Sequence, residues 1–173
     1  MRRLVISAMV LLIGGCGWFT KDDPATEPAE LVEFTPAVKF NRLWSQDAGE
    51  GGGELARKLM PAVDAGRVFV SDRKGRVSAF NADNGRRQWR TDTGIRASGG
   101  PGVGEGTVVI GGLDGEVVAV DASSGEELWR ARVSSEVLGA PAVSGRRVVV
   151  RSIDGRVFGF DRRSGRREWI YDH

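Results

Sequence analysis

Apolar and polar positions along the chain follow a pattern that returns every 40 residues. Three units align without a gap: "PAVDAGRVFVSDRKGRVSAFNADNGRRQWR" from Pro61, "PGVGEGTVVIGGLDGEVVAVDASSGEELWR" from Pro101 and "PAVSGRRVVVRSIDGRVFGFDRRSGRREWI" from Pro141. A fixed period means one supersecondary unit repeated. Each unit divides into four short strands. The first ends near the Pro-x-Val, and a glycine turn follows. The second ("RVFVSD", "TVVIGG" or "RVVVRS") is rich in β-branched residues and apolar on both faces, as a strand covered on two sides should be. Next comes a tight turn closed by Gly75, Gly115 or Gly155. Asp-Gly at two of the three predicts a two-residue hairpin turn with positive φ at both central positions. The third strand is "RVSAFNA", "EVVAVDA" or "RVFGFDR". A loop of the form N/D-x-x-N/S-G then leads to the fourth. Its Asn or Asp is suited to cap the loop, and Gly85, Gly125 and Gly165 to take the left-handed conformation. The fourth strand carries Trp89, Trp129 or Trp169. Helical periods are missing throughout.

A four-stranded antiparallel unit of about 40 residues is a β-propeller blade, and the predicted class is all-β. A twisted blade has two faces, both covered by neighbours. A ring at a fixed site fills that interface and buries on the order of 200 Å². The competing reading makes the tryptophans a row of ligand-binding rings. Recurrence in every unit favours packing, because a binding site is usually asymmetric. "RLWSQD" at 42–47 reads as an orphan fourth strand, with Trp44 in the blade-ending position. In a ring, such a strand completes the last blade. The stretch between it and Pro61, "AGEGGGELARK", reads as a flexible rim loop with room for one helical turn.

The start of the chain changes the picture from domain to anchored domain. "MRRLVISAMVLLIGGCGWF" places Arg2 and Arg3 before a short apolar run and small residues, the layout of an export signal over 1–15. The run is too short for the roughly 20 residues of a spanning helix. Cys16 is the only cysteine, which excludes an intramolecular disulfide. "IGGC" resembles the bacterial lipobox, and the resemblance implies cleavage before Cys16 with acyl chains, palmitate among them, on that residue. The other reading is a plain signal peptide with a stray cysteine. Several chains on one residue supply the second membrane signal that stable anchoring needs. Gly17 in place of an aspartate implies, by the same resemblance, the outer rather than the inner membrane. Residues 16–40 contain Pro24, Pro28 and Pro36 among acids and alanines, and read as an extended tether. Loss of residues 1–15 removes Arg2 and Arg3 and no acid. Lys plus Arg then falls from 25 to 23 and equals the 23 Asp plus Glu. A neutral mature chain lacks the sustained basic excess of a nucleic-acid binder. The charge is uneven, however: from Pro141 onward there are eight arginines against four acids. A solvated edge accounts for them, and an acidic partner surface is the alternative.

"VVAVDASSGEELWR" resembles the repeat of the pyrroloquinoline-quinone-type propellers, A-x-D-x-x-[ST]-G-x-x-x-W. With the lipobox, the tether and "FNRLWSQDAG", the chain resembles the BamB family, the lipoprotein propellers of the bacterial outer-membrane β-barrel assembly machinery. The resemblance implies a ring of about eight blades. Residues 41–173 supply one orphan strand and three blades, at about 56–93, 94–133 and 134–173. A truncated product or fragment is therefore expected, with an apolar face open on the last blade. It also implies a lipid-anchored scaffold facing the periplasm, with the machinery's central barrel protein as partner, and neither cofactor nor catalysis. Two other classes stay open. One is a quinone-dependent dehydrogenase, which shares the repeat but adds adjacent cysteines and calcium ligands in long insertions. The other is a propeller that serves a different envelope complex. Among chemical candidates, His173 is the only histidine and is terminal. "GGPGVGEG" at 99–106 lacks the Gly-Lys-Ser/Thr ending of a phosphate loop. Asp114 and Asp154 precede hairpin glycines and read as turn formers rather than calcium ligands.

Overall fold

A computed structural model describes residues 32–33, 35, 37–51 and 59–172. The chain divides into two units, Met1–Phe40 and Asn41–His173. The described residues of the first are exposed and outside helix or strand. The export signal, Cys16, the "ELARK" turn and His173 lie outside the described residues.

The second unit holds three four-stranded antiparallel sheets and no helix among the described residues. The first blade consists of β1 (Ala62–Asp64), β2 (Arg67–Ser71), β3 (Arg76–Asn81) and β4 (Arg87–Asp92). The second consists of β5 (Gly102–Gly104), β6 (Thr107–Gly111), β7 (Glu116–Asp121) and β8 (Glu127–Arg132). The third consists of β9 (Ala142–Ser144), β10 (Arg147–Arg151), β11 (Val157–Asp161) and β12 (Arg167–Tyr171). Strands follow chain order within each sheet, and the short first strand β5 lies near both β1 and β9. The fourth strands are therefore peripheral. Each third–fourth pairing slips by one residue at the same place, Ala79/Phe80, Ala119/Val120 and Gly159/Phe160.

Alternation along β6 and β7 divides two cores. Val108, Ile110, Val118 and Val120 pack with Phe69, Val77 and Ala79 of the first blade. Val109, Val117 and Ala119 pack with Val148, Val150, Phe158 and Phe160 of the third. All of β6 is buried, so "TVVIG" needs apolar or small side chains on both faces. Each such valine or isoleucine removed from water contributes about 1.5–3 kcal/mol.

Two local expectations are corrected. The turn before β3, β7 and β11 is not the two-residue type. Gly75, Gly115 and Gly155 have positive φ, but Asp114 and Asp154 do not. The Gly75 N–H donates to the Asp72 carbonyl, and the Asp72 N–H donates to that of Arg76. This is a tight turn followed by one left-handed glycine, a longer hairpin loop that needs positive φ only at its end. The paired positive φ falls instead in the hairpins between the first two strands, at Ala65-Gly66 and Glu105-Gly106. Residues 42–47, expected as a strand, have no ladder partner among the described residues and form none. A strand is defined by its ladder, so the extended segment is held by its side chains instead.

Candidate partner-binding surface

The loop between each third and fourth strand is built as its sequence suggests. Asn81 Oδ1 accepts from the N–H groups of Asp83 and Asn84, each at 3.0 Å. Asp121 accepts from Ser123 and Ser124, and Asp161 from Arg163 and Ser164. The seryl hydroxyls beside Asp121 and Asp161 hold both carboxyls below the usual carboxylate range. Gly85, Gly125 and Gly165 close these loops with φ of +70°, +78° and +67°.

Each loop receives a tryptophan from the preceding segment. The Trp129 indole lies on Gly165, where an added Cβ would stand 2.6 Å from the ring, and its Nε1–H donates to the Arg162 carbonyl at 2.7 Å. Trp89 repeats this on Gly125 and the Ala122 carbonyl, at 3.0 Å. Trp44 repeats it on Gly85 and the Ala82 carbonyl, at 2.7 Å. The glycine supplies both the left-handed turn and the bare surface on which a flat ring can lie. A buried indole N–H needs an acceptor, and the carbonyl provides it. The spacing made the glycines and tryptophans visible separately. That one sits on the other, across a blade boundary, was not visible, because nothing in the sequence pairs residues 36 to 41 positions apart.

Trp169 covers no such loop among the described residues. Its ring folds back over Gly159, its own ladder partner, where a Cβ would meet the indole at 2.0 Å. Alanine fills that ladder position in the other blades, at Ala79 and Ala119. Trp169 stays 37% exposed, Tyr171 is 57% exposed, and every residue of β12 is exposed. Around them on the same face are half-buried Val149 and Val157 and exposed Arg147 and Arg151. The result is an apolar strip rimmed by guanidinium groups.

The remaining chemical candidates have structural partners. Asp114 is held by Arg96, with contacts of 3.0 and 2.5 Å, which lowers its pKa. Asp154 accepts from the hydroxyls of Ser134 and Ser152, which also lowers it. Within 99–106, residues 102–104 are β5 and Gly106 is the following turn. No group of three or more His, Cys, Asp or Glu able to hold a metal ion occurs among the described residues. A cluster that the sequence did not suggest surrounds Asp72, whose side chain is only 2% exposed. It accepts from Arg76 Nε at 2.6 Å and from the N–H groups of Lys74, Arg76 and Glu50. Burial pushes the Asp72 carboxyl up, but the Arg76 guanidinium and these donors outweigh it and leave the pKa lowered. Glu50 in turn pairs with Arg73 and Lys74, each at 2.6 Å. The segment that carries Trp44 is thus fixed to the first blade at two points.

The family model described as outer membrane protein assembly factor BamB, of the PQQ_2 repeat type, matches residues 39–94 and 73–173. The chain belongs to this family. BamB of Alkalilimnicola ehrlichii is 44% identical over 101 residues, 58% of this chain and 25% of the relative. BamB of Xanthomonas campestris pv. campestris is 43% identical over 119 residues, 58% of this chain and 29% of the relative. The aligned part thus spans between a quarter and a third of these relatives. The crystal structure of BamB from Moraxella catarrhalis superposes with a TM-score of 0.62 at 30% identity, over 69% of this chain and 37% of that one. A quinohemoprotein alcohol dehydrogenase from Comamonas testosteroni gives 0.59 at 25% identity, over 70% and 21%. The resemblance to BamB is borne out, and so is the partial propeller of four-stranded blades.

Proposed function

We propose that this chain is part of a lipid-anchored propeller that assists assembly of β-barrel proteins into the outer membrane, as a scaffold and without catalysis. The observation that carries this reading is the BamB family match, which runs through all three blades. In this reading residues 1–15 are removed and Cys16 is acylated. Residues 16–40 tether the blades on the periplasmic side. The assembly machinery, through its central barrel protein, is the partner. The peripheral strands support a docking role: among the described residues each fourth strand ends the strand order of its blade, and a sheet edge of this kind can take an added strand.

Envelope pull-down of the full chain, expressed with its leader in a Gram-negative host, tests the reading. Recovery of the central barrel protein of the assembly machinery is the expected result. Recovery of a different envelope complex in its place would refute it. Mass spectrometry of the purified product should find an acylated N-terminal Cys16, and Cys16→Ser should abolish the lipid. The dehydrogenase likeness favours a second reading, and its test is direct. Saturable binding of pyrroloquinoline quinone with calcium, accompanied by dye reduction, would establish an enzyme.

A further inference from the structure

Blade three departs from the repeat at one corner. Arg162 stands where the first two blades hold Ala82 and Ala122, Arg163 where they hold Asp83 and Ser123, and Arg146 where they hold Gly66 and Gly106. All three arginines, with Asp161, line one open cavity of about 390 Å³. Packing explains residues that recur in every blade. It does not explain three cations gathered at a single corner.

We propose that this corner is a binding site for a phosphate group. Arg162 is its fixed element. Its backbone carbonyl is held by Trp129. Its Nε donates to the Gly145 carbonyl at 2.8 Å, and its Nη1 to the Glu105 carbonyl at 2.8 Å and to Thr107 Oγ1 at 3.0 Å. These acceptors are all neutral, so they orient the guanidinium without cancelling its charge. Nη2 has no partner among the described residues, and its two donors remain for a ligand. Arg163 adds a guanidinium without a partner among the described residues. Arg146 adds one whose side chain is 91% exposed and reaches only 4.0 Å from Asp161. Asp161 contributes one negative charge, but its Oδ1 is already occupied by the loop N–H groups and the Ser164 hydroxyl. Three cations against one anion leave the corner with two positive charges. A planar guanidinium fork fits phosphate oxygens, and one held rigid in advance loses little entropy on binding. The site does not depend on the assembly role. It is present whether the chain serves barrel assembly or another envelope complex.

The test uses the full chain as Cys16→Ser, so that no lipid masks the result. Calorimetric titration with inorganic phosphate should show one saturable site. The paired substitution Arg146→Gln with Arg163→Gln, which breaks only the 4.0 Å pair of Arg146 with Asp161 among the described residues, should weaken binding about tenfold or more, a loss of about 1.4 kcal/mol or more. Arg86→Gln with Arg87→Gln, at a blade that lacks the corner, should leave it unchanged. Unaltered tryptophan emission and circular dichroism establish that both variants are folded. Co-sedimentation with phosphatidylglycerol vesicles but not phosphatidylcholine vesicles, lost in the corner variant, identifies a lipid headgroup as the source. Phosphate binding without vesicle binding identifies a soluble phosphate. The proposal is overturned by no saturable phosphate binding at millimolar concentration, or by binding that the corner variant leaves intact.

Discussion

At the scale of single residues, one amino-acid type does different work at different positions. Trp129 is 7% exposed, stacks with Phe160 at 6.0 Å and is bonded to the next blade. Trp169 has the same place in its repeat but rests on its own sheet. Trp129→Ala should cost about 3–5 kcal/mol in urea unfolding, as large aromatic truncations in a core do. Trp169→Ala should cost clearly less, and equal losses would contradict the role given to the boundary. Asp72 sets a pH dependence with a definite sign. Its folded pKa is lowered, so the stability it contributes is complete above its ordinary value of 3.8 and is lost as pH falls through the folded value. Asp72→Asn should lower stability near neutral pH by about 2 kcal/mol and flatten the loss of melting temperature below about pH 4. An unchanged acid limb would rule out the carboxylate as its origin.

At the scale of elements, burial ranks the strands. β6 and β7 have both faces covered and run as unbroken apolar stretches, whereas β12 is exposed along its whole length. Amides exchange through local opening, whose cost follows the apolar surface exposed. Native-state hydrogen exchange should therefore find β6 and β7 slowest and β12 fastest. Protection in β12 equal to that in β7 would contradict this order. The strands themselves were legible because period-two patterning and β-branched runs respond to burial alone. Turn type was less legible. "LDG" and "IDG" fit two hairpin geometries, and the choice depends on how many residues the ladder leaves unpaired, which no short motif states. The segment 42–47 shows the same limit, since its tryptophan was readable while the ladder it lacks depends on other strands.

At the scale of the whole molecule, the blades form a one-dimensional stack in which each boundary carries its own core. Stability in such a stack is close to a sum of units and nearest-neighbour terms. Trp44 lies at the front of the first blade and Trp129 between the second and third, and they share no partner. The double substitution Trp44→Ala with Trp129→Ala should therefore lose the sum of the single losses to within about 0.5 kcal/mol. A coupling well above that would mean that the second blade transmits strain between its faces.

The sequence by itself determined the period, the four strands of each blade, the loop caps and the family, because each of these follows from local chain chemistry repeated three times. It also marked the tryptophans as packing residues. Only the tertiary structure decided what each indole packs against, which glycine it covers and which carbonyl it meets. Those pairings join residues 33 to 41 positions apart across blade boundaries. The arginine corner is of the same kind: each residue was visible as a departure from the repeat, but only folding brings two loops of one blade around a single cavity and sets Arg162 against the turn of the neighbouring blade. Proximity between distant segments is set by how sheets stack, and no local pattern of side chains encodes it.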